Sequence, residues 1–479
     1  MTSSTADTRP RARQPRGFPD LYRAVWRWHF YAGLLVLPFL IWLAITGGLY
    51  VFKNNIDGFF HQRLLSVSAA ATPARAPTEL AAAALAAHPG ALIKYTPPAA
   101  ATRSAEALIA TTGGERLAVY VDPYRGEVLG ALPDGGSVAW TIRKLHSLKY
   151  FGKVARGAIE MAAGWAILLV LTGIYLWWPR GQKGGVVTVR ATPAKRVFWR
   201  DLHAVTGLGV GGMLLFLAIT GMPWSVLWGN QINQWANGNN FGYPAGVRVQ
   251  VPMSALRLAD GETTTWSLQQ ARIPESGHED HDGHSGHDGH EGHSAHAGHA
   301  IPDVPPQPSA LTLDQAVAAF DRLGLAPGYA VQLPKGAQGV YSGSVYPADL
   351  AQQRVVHLDQ YSGKPLLDMR YADYGPLGRT LEWGINVHLG MEWGVFNQAL
   401  LVVTCLAIVL LCVSAAVMWW KRRPQGSLGV PPQPASRRLQ AGVLALLLVG
   451  GAIFPLVGAS MLVMAALDYL AFARHPAQA

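Results

Sequence analysis

Four histidines stand at matched positions along this sequence, and they are the residues with the most chemistry to offer. His29-Phe-Tyr-Ala-Gly33 is followed by Ala44-Ile-Thr-Gly47, and His203-Ala-Val-Thr-Gly207 by Ala218-Ile-Thr-Gly221, with 18 residues from histidine to last glycine in both stretches. His146 precedes Trp177-Trp-Pro-Arg180 by 31 residues, and His388 precedes Trp419-Trp-Lys-Arg422 by the same 31. One histidine near the end of a membrane helix is an ordinary interfacial polar group, whereas four in register call for a shared role. A repeat about an axis along the membrane normal brings equivalent positions to one depth, pairing His29 with His203 and His146 with His388. Two facing imidazoles between bundled helices suit the two axial positions of a haem iron. Gly33 and Gly207 lie one turn beyond their histidines, and Gly47 and Gly221 return to the same face, where the lack of a side chain leaves room for a flat macrocycle.

Half of the 16 histidines form a three-residue ladder: His278, His281, His284, His287, His290, His293, His296 and His299. The intervening Gly, Asp, Ser and Ala cannot bury a core, so 275–308 is expected to be an unstructured loop. Its imidazoles suit divalent transition metals, copper foremost, and read either as a metal-capturing antenna or as a low-complexity insertion. The two cysteines, Cys405 and Cys412, form no CxxC pair. Gly207-Leu-Gly-Val-Gly-Gly212 fits GxGxxG but follows no strand, so a nicotinamide site is rejected, and no flavin motif is present. Electrons must then come from a membrane quinol or a separate reductase. Asp20, Asp201, Glu382 and Glu392 are candidate relays or supporting partners, with solvated interfacial charge as the plainer reading.

These residues need helices in a membrane to position them. The 479 residues are 50% hydrophobic and 14% charged with positive mean hydropathy, too apolar for an ordinary soluble protein of this length. Apolar stretches over 28–53, 157–178, 202–229, 394–420 and 441–467 approach or exceed the roughly 20 residues of a spanning helix. The first is too long for a signal peptide and is read as an anchor. Basic clusters in 1–27, 179–201 and 421–440 place these segments in the cytoplasm, which leaves 54–156 and 230–393 periplasmic and a fifth span carrying the C-terminus outward. The net charge of +10 is thereby a topology signal, and nucleic acid is excluded as a partner. The fold class is a mainly α membrane protein of about five transmembrane helices in two tandem-repeat halves, each with a small α+β periplasmic module. Each module is expected to contain an amphipathic helix (78–87, 313–323) and a strand (117–121, 354–358). Each strand runs into a turn, Asp122-Pro-Tyr-Arg-Gly126 or Asp359-Gln-Tyr-Ser-Gly363, whose glycine takes positive φ. On a continuous helix with its span, His146 would stand roughly 15 Å above the hydrocarbon. The tryptophans at the helix ends, Trp177/Trp178 and Trp419/Trp420 among them, read as interfacial anchors.

Over roughly 22–423, the HxxxG and AITG repeats, the D-x-Y-x-G turns and the WWxR ends resemble PepSY-associated transmembrane proteins, a family that includes haem-containing siderophore reductases of the bacterial inner membrane. The resemblance implies PepSY-like modules, reduction of a periplasmic ferric siderophore or related metal complex during metal uptake, and about two haem b per chain on His29, His203, His146 and His388. The rival expectation is a non-redox membrane protein whose modules bind metal or peptide and assist a transporter or regulate a protease.

Overall fold

The computed structural model describes residues 20–180, 184–243, 251–261, 264–277, 311–425, 428–431 and 437–474; the ladder from His278 to His299 lies outside them, as does the Asp20 side chain. From Asp20 to Trp177 the chain forms α1 (Asp20–Tyr50), α2 (Lys53–Phe60), α3 (Gln62–Leu65), α4 (Pro77–Ala87), β1 (Gly90–Thr96), β2 (Ala105–Thr111), β3 (Arg116–Val121), β4 (Val128–Pro133), α5 (Val138–His146) and α6 (Gly152–Trp177). From Arg196 to Arg422 it forms α7 (Arg196–Gly221), α8 (Trp228–Gly238), β5 (Met253–Arg257), β6 (Arg272–Pro274), α9 (Leu313–Arg322), β7 (Ala330–Gln332), β8 (Val340–Val345), β9 (Arg354–Asp359), β10 (Pro365–Arg370), α10 (Pro376–His388) and α11 (Val395–Arg422). Two further helices, α12 (Arg437–Ile453) and α13 (Pro455–Arg474), close the chain.

Among the described residues four helices are long and apolar enough to cross a membrane: α1, α6, α7 and α11. They expose large apolar side chains such as Ile45, Leu171, Val403 and Leu406, which lipid accepts and water does not. The fifth apolar stretch, expected as one span, is instead two helices. Pro455 lacks the N–H that would continue α12 and stands at the first position of α13, where that loss costs nothing. Gly451 and Gly458 let the two helices close tightly, since a Cβ at Gly451 would fall 2.5 Å from the Gly458 Cα. The chain then returns, so that Asp468 of α13 pairs with Arg27 of α1 at 2.6 Å and accepts the Tyr31 hydroxyl. The fifth stretch is therefore a pair of shorter apolar helices, the second of which meets the first part of α1 through Asp468.

Eight of the strands form an antiparallel sheet in the order β10-β9-β8-β7-β1-β2-β3-β4, and β5 pairs with β6 in a separate two-stranded sheet. The join between the two sets of four in the larger sheet is β1 against β7, through Lys94↔Gln332 and Tyr95↔Val331. Alternate side chains, including Ile109, Val119, Val121, Val356 and Leu358, pack on one face with Leu80 and Ala84 of α4 and Ala316 and Phe320 of α9. Both expected turns form. Asp122 Oδ1 accepts the N–H groups of Tyr124 and Arg125 before Gly126 at φ +73°, and Asp359 Oδ1 accepts those of Tyr361 and Ser362 before Gly363 at φ +69°.

The molecule divides into two compact units, one of Met1–Ile41, Glu160–Ala218 and Ala407–Ala479 and one of Trp42–Ile159 and Ile219–Leu406. His29 and His203 belong to the first, His146 and His388 to the second.

Candidate functional site

In the first unit, His29 of α1 sets its Nδ1 2.8 Å from Thr172 Oγ1 of α6. Thr172 gives its own proton to the carbonyl of Leu168 at 2.7 Å, so its oxygen is left to accept and His29 must donate from Nδ1. The next residue, Gly173, accommodates the ring: a Cβ there would meet His29 Cε1 at 3.4 Å. His203 of α7 places Nδ1 3.1 Å from the carbonyl of Leu411 on α11, a group that can only accept, with Ser414 Oγ at 3.4 Å. Gly33, one turn beyond His29, has nothing within 4 Å of where a Cβ would be.

The second unit repeats the device. Thr46 Oγ1 of α1 donates to the Trp42 carbonyl at 2.6 Å and lies 2.9 Å from His146 Nδ1; Thr220 Oγ1 of α7 lies 2.8 Å from His388 Nδ1. Gly47 and Gly221 follow these threonines, and Cβ atoms there would meet His146 Cε1 at 3.2 Å and His388 Cε1 at 3.6 Å. The glycines of the two Ala-Ile-Thr-Gly stretches therefore make room for the histidines of the other pair, not for a face shared with His29 and His203. Burial, and then the charge of His388, pulls the His146 imidazole down to about 4, and burial does the same for His388. Both rings are neutral at neutral pH.

His146 is not on the helix of its span. It is the last residue of α5, and Leu148 at φ +50° and Gly152 at φ +83° turn the chain before α6 begins. His388 ends α10 in the same way, with Gly390 at φ +73° and Gly394 at φ +56° before α11. The turns fold each imidazole back beside a Thr-Gly pair, so His146 sits against α1 instead of standing off along α6.

All four histidines are half-buried. Among the described residues no hydrogen bond engages any of their Nε2 atoms. A neutral imidazole whose Nδ1–H is tied to oxygen and whose Nε2 lone pair is untied is the form that ligates iron or another metal, the tied side fixing tautomer and ring orientation. At each position the donor chemistry is that of a metal-ligating imidazole. Thr172, Gly173 and Ser414 were missed in the sequence; Thr172 and Ser414 each lie five residues before a Trp-Trp pair, and that shared offset was the available signal.

A model of the PepSY-associated TM region matches residues 26–422. The chain belongs to the PepSY-associated TM family. Curated proteins give no match. In this PepSY-associated TM protein the WWxR ends do more than anchor. Trp177 Nε1 donates to the Val186 carbonyl at 2.8 Å and Trp419 Nε1 to that of Leu428 at 2.9 Å, each tying down the loop nine residues on. Arg180 stacks on Tyr22 and Tyr175, and Arg422 on Trp26 and Phe30. Solvated charge does not describe two of the expected acids. Asp201 is fully buried between Arg190 and Arg200, and Glu382 is buried where it accepts the Ser267 N–H. Glu392 bonds the side chain of Asn386.

Proposed function

We propose that this chain is a haem-dependent electron-transfer protein of a bacterial inner membrane that reduces periplasmic ferric-siderophore or related metal complexes during metal uptake. The observation that carries the reading is the common state of the four histidines, each with Nδ1 held by an oxygen and Nε2 left over. His29 with His203, and His146 with His388, would each hold one haem b through Nε2. Bound haem supplies a one-electron couple whose potential responds to its axial ligands, their hydrogen bonds and burial. The chain's part is to hold the tautomer through Thr172, Leu411, Thr46 and Thr220, to keep the rings uncharged, and to leave room at Gly173, Gly47 and Gly221. The matched motifs support two tandem-repeat halves with PepSY-like modules, and the basic clusters support a cytoplasmic N-terminus with the modules in the periplasm. Electrons enter from a quinol or a separate reductase, and the ladder from His278 to His299 serves to gather metal.

A dithionite-reduced minus oxidised spectrum of purified protein tests this. The expected result is b-type bands at about two haems per chain, one for each histidine pair. Protein made with ample haem that lacks those bands overturns the reading.

A further inference from the structure

The first unit differs between its two helix pairs at one matched position. Seven residues before each histidine stand Tyr22, ahead of His29, and Arg196, ahead of His203. Arg180 and Arg422 occupy the same place after their tryptophan pairs. On α1 and α6 the two positions meet as ring and cation, with the Arg180 guanidinium 5.3 Å from the centre of the Tyr22 ring. On α7 and α11 the place of the ring is taken by the guanidinium of Arg196, and that of Pro179 by Lys421. Arg422 stacks instead on Trp26 and Phe30 of α1.

The cations of α7 and α11 are brought together without a carboxylate between them. Lys421 Nζ donates to the carbonyl of Ala194 at 3.0 Å, which sets the end of α11 beside the start of α7. The histidine geometry gives the same level. Ser414 Oγ lies 3.4 Å from His203 Nδ1, and Arg196 and Lys421 each stand seven residues, about 10 Å of helix, beyond that contact. The one acid of 179–201, Asp201, is taken by Arg190 and Arg200, and 421–440 contains none. Among the described residues no carboxylate pairs with Arg196 or Lys421, and both are exposed. A charge that only sets topology has to lie on one side of the membrane; it has no need to converge on a neighbour where α1 and α6 use an aromatic ring. Like charges held together repel, and an anion shared by them reverses the sign.

The neighbours of these cations say which anion. Val197 and Trp420, next to Arg196 and Lys421 in the chain, are 39% and 61% exposed, and the Arg423 guanidinium lies 3.5 Å from the centre of the Trp420 ring. Cations beside exposed apolar side chains, at the ends of two spanning helices, suit an anion that carries a hydrocarbon tail. Basic sites between spanning helices bind phosphate headgroups on this ground. We propose that Arg196 and Lys421 hold the phosphate of one anionic phospholipid at the junction of α7 and α11, and that the lipid clamps the two helices that His203 and Leu411 also join. The site asks nothing of haem and stands apart from the electron-transfer reading.

The test titrates full-length protein in detergent micelles with phosphatidylglycerol, phosphatidylcholine and inorganic phosphate, and counts bound lipid by native mass spectrometry. A single phosphatidylglycerol should be retained at least about tenfold more tightly than phosphatidylcholine, and inorganic phosphate should not displace it. Arg196→Gln and Lys421→Gln should each lower the phosphatidylglycerol affinity about fivefold. Arg196→Tyr gives α7 the residue that α1 carries at this position and should lower the affinity equally, which keeps the test open if Gln there prevents folding. Arg438→Gln removes an exposed cation at the start of α12 and should leave the affinity unchanged. Equal retention of the two lipids, displacement by inorganic phosphate, or the same loss in Arg438→Gln as in Arg196→Gln overturns the proposal.

Discussion

Thr46 stands 2.9 Å from His146 Nδ1 while spending its own proton on the carbonyl of Trp42, so a single hydroxyl decides which nitrogen of the imidazole is free. Thr46→Val keeps the shape and removes the acceptor. Haem affinity at the His146/His388 pair is expected to fall about 10- to 100-fold, as when the hydrogen-bond partner of a ligating histidine is lost, and Thr46→Ser should restore it. Haem titration into stripped protein reads this; equal affinities for wild type and Thr46→Val would show that Thr46 is packing only.

Gly47 and Gly221 occupy equivalent sequence positions but differ in tolerance. A Cβ at Gly47 would approach His146 Cε1 to 3.2 Å, which the ring must yield to, while one at Gly221 would rest at an ordinary 3.6 Å from His388 Cε1. Gly47→Ala is expected to cost on the order of 1 kcal/mol and to perturb the spectrum of the haem proposed for the second unit, with Gly221→Ala close to neutral. Matching effects in the two variants would contradict this geometry.

Replacing either His203 or His388 with Ala should halve the haem content and leave the other pair intact, because the two pairs lie in separate compact units. His203→Ala should block reduction by the physiological donor. His388→Ala should leave the first pair reducible but stop discharge into an added ferric chelate. Normal discharge from the His388 variant would show that electrons do not leave by that pair.

Burial pushes the Glu382 carboxyl from its ordinary 4.5 up to about 7. Between those values the folded chain keeps a proton that the unfolded chain has released, so this group's contribution to stability falls as pH rises from 4.5 to 7. Glu382→Gln retains an acceptor for the Ser267 N–H and cannot ionise. Relative to that variant, wild type should lose on the order of 1–3 kcal/mol across this window, seen as a growing gap in Tm; a gap that stays constant with pH would mean normal ionisation.

Asp468 neutralises Arg27, which is only 4% exposed. Asp468→Ala takes the carboxylate from that guanidinium, leaving it the Pro431 carbonyl, and should destabilise the packing of α12 and α13 by on the order of 2–3 kcal/mol, less than for a fully dry pair because the Asp468 side chain is 22% exposed. Limited proteolysis within 437–474 should accelerate, and unchanged digestion would show that the hairpin is held elsewhere.

Four of the spans, the turns and the strands that run into them were legible because each depends on local chemistry: apolar length, an Asx turn, a glycine at positive φ. The pattern of four histidines was also visible, since spacing survives in the chain. What spacing could not show is the turn at Leu148–Gly152, where a leucine adopts a left-handed conformation for no reason written in its type, so the packing of His146 against α1 was not legible. The roles of Gly47 and Gly221 were misassigned for the same reason, because the imidazoles they admit arrive from residues about 100 and 167 positions away. The hairpin of α12 and α13 had its signal in Pro455, but hydropathy read over a long window passes across one proline.

The narrow join of β1 to β7 also bears on how the molecule is made. Lys94 leaves the ribosome 238 residues ahead of its partner Gln332. At about 5–20 residues per second, the strand edge at β1 waits on the order of ten to fifty seconds for its neighbour. During that interval the first four strands present an unpaired edge to anything else with a free backbone, and two such nascent chains side by side could pair with each other. Newly made protein thus passes through a brief period of vulnerability that the finished sheet no longer displays.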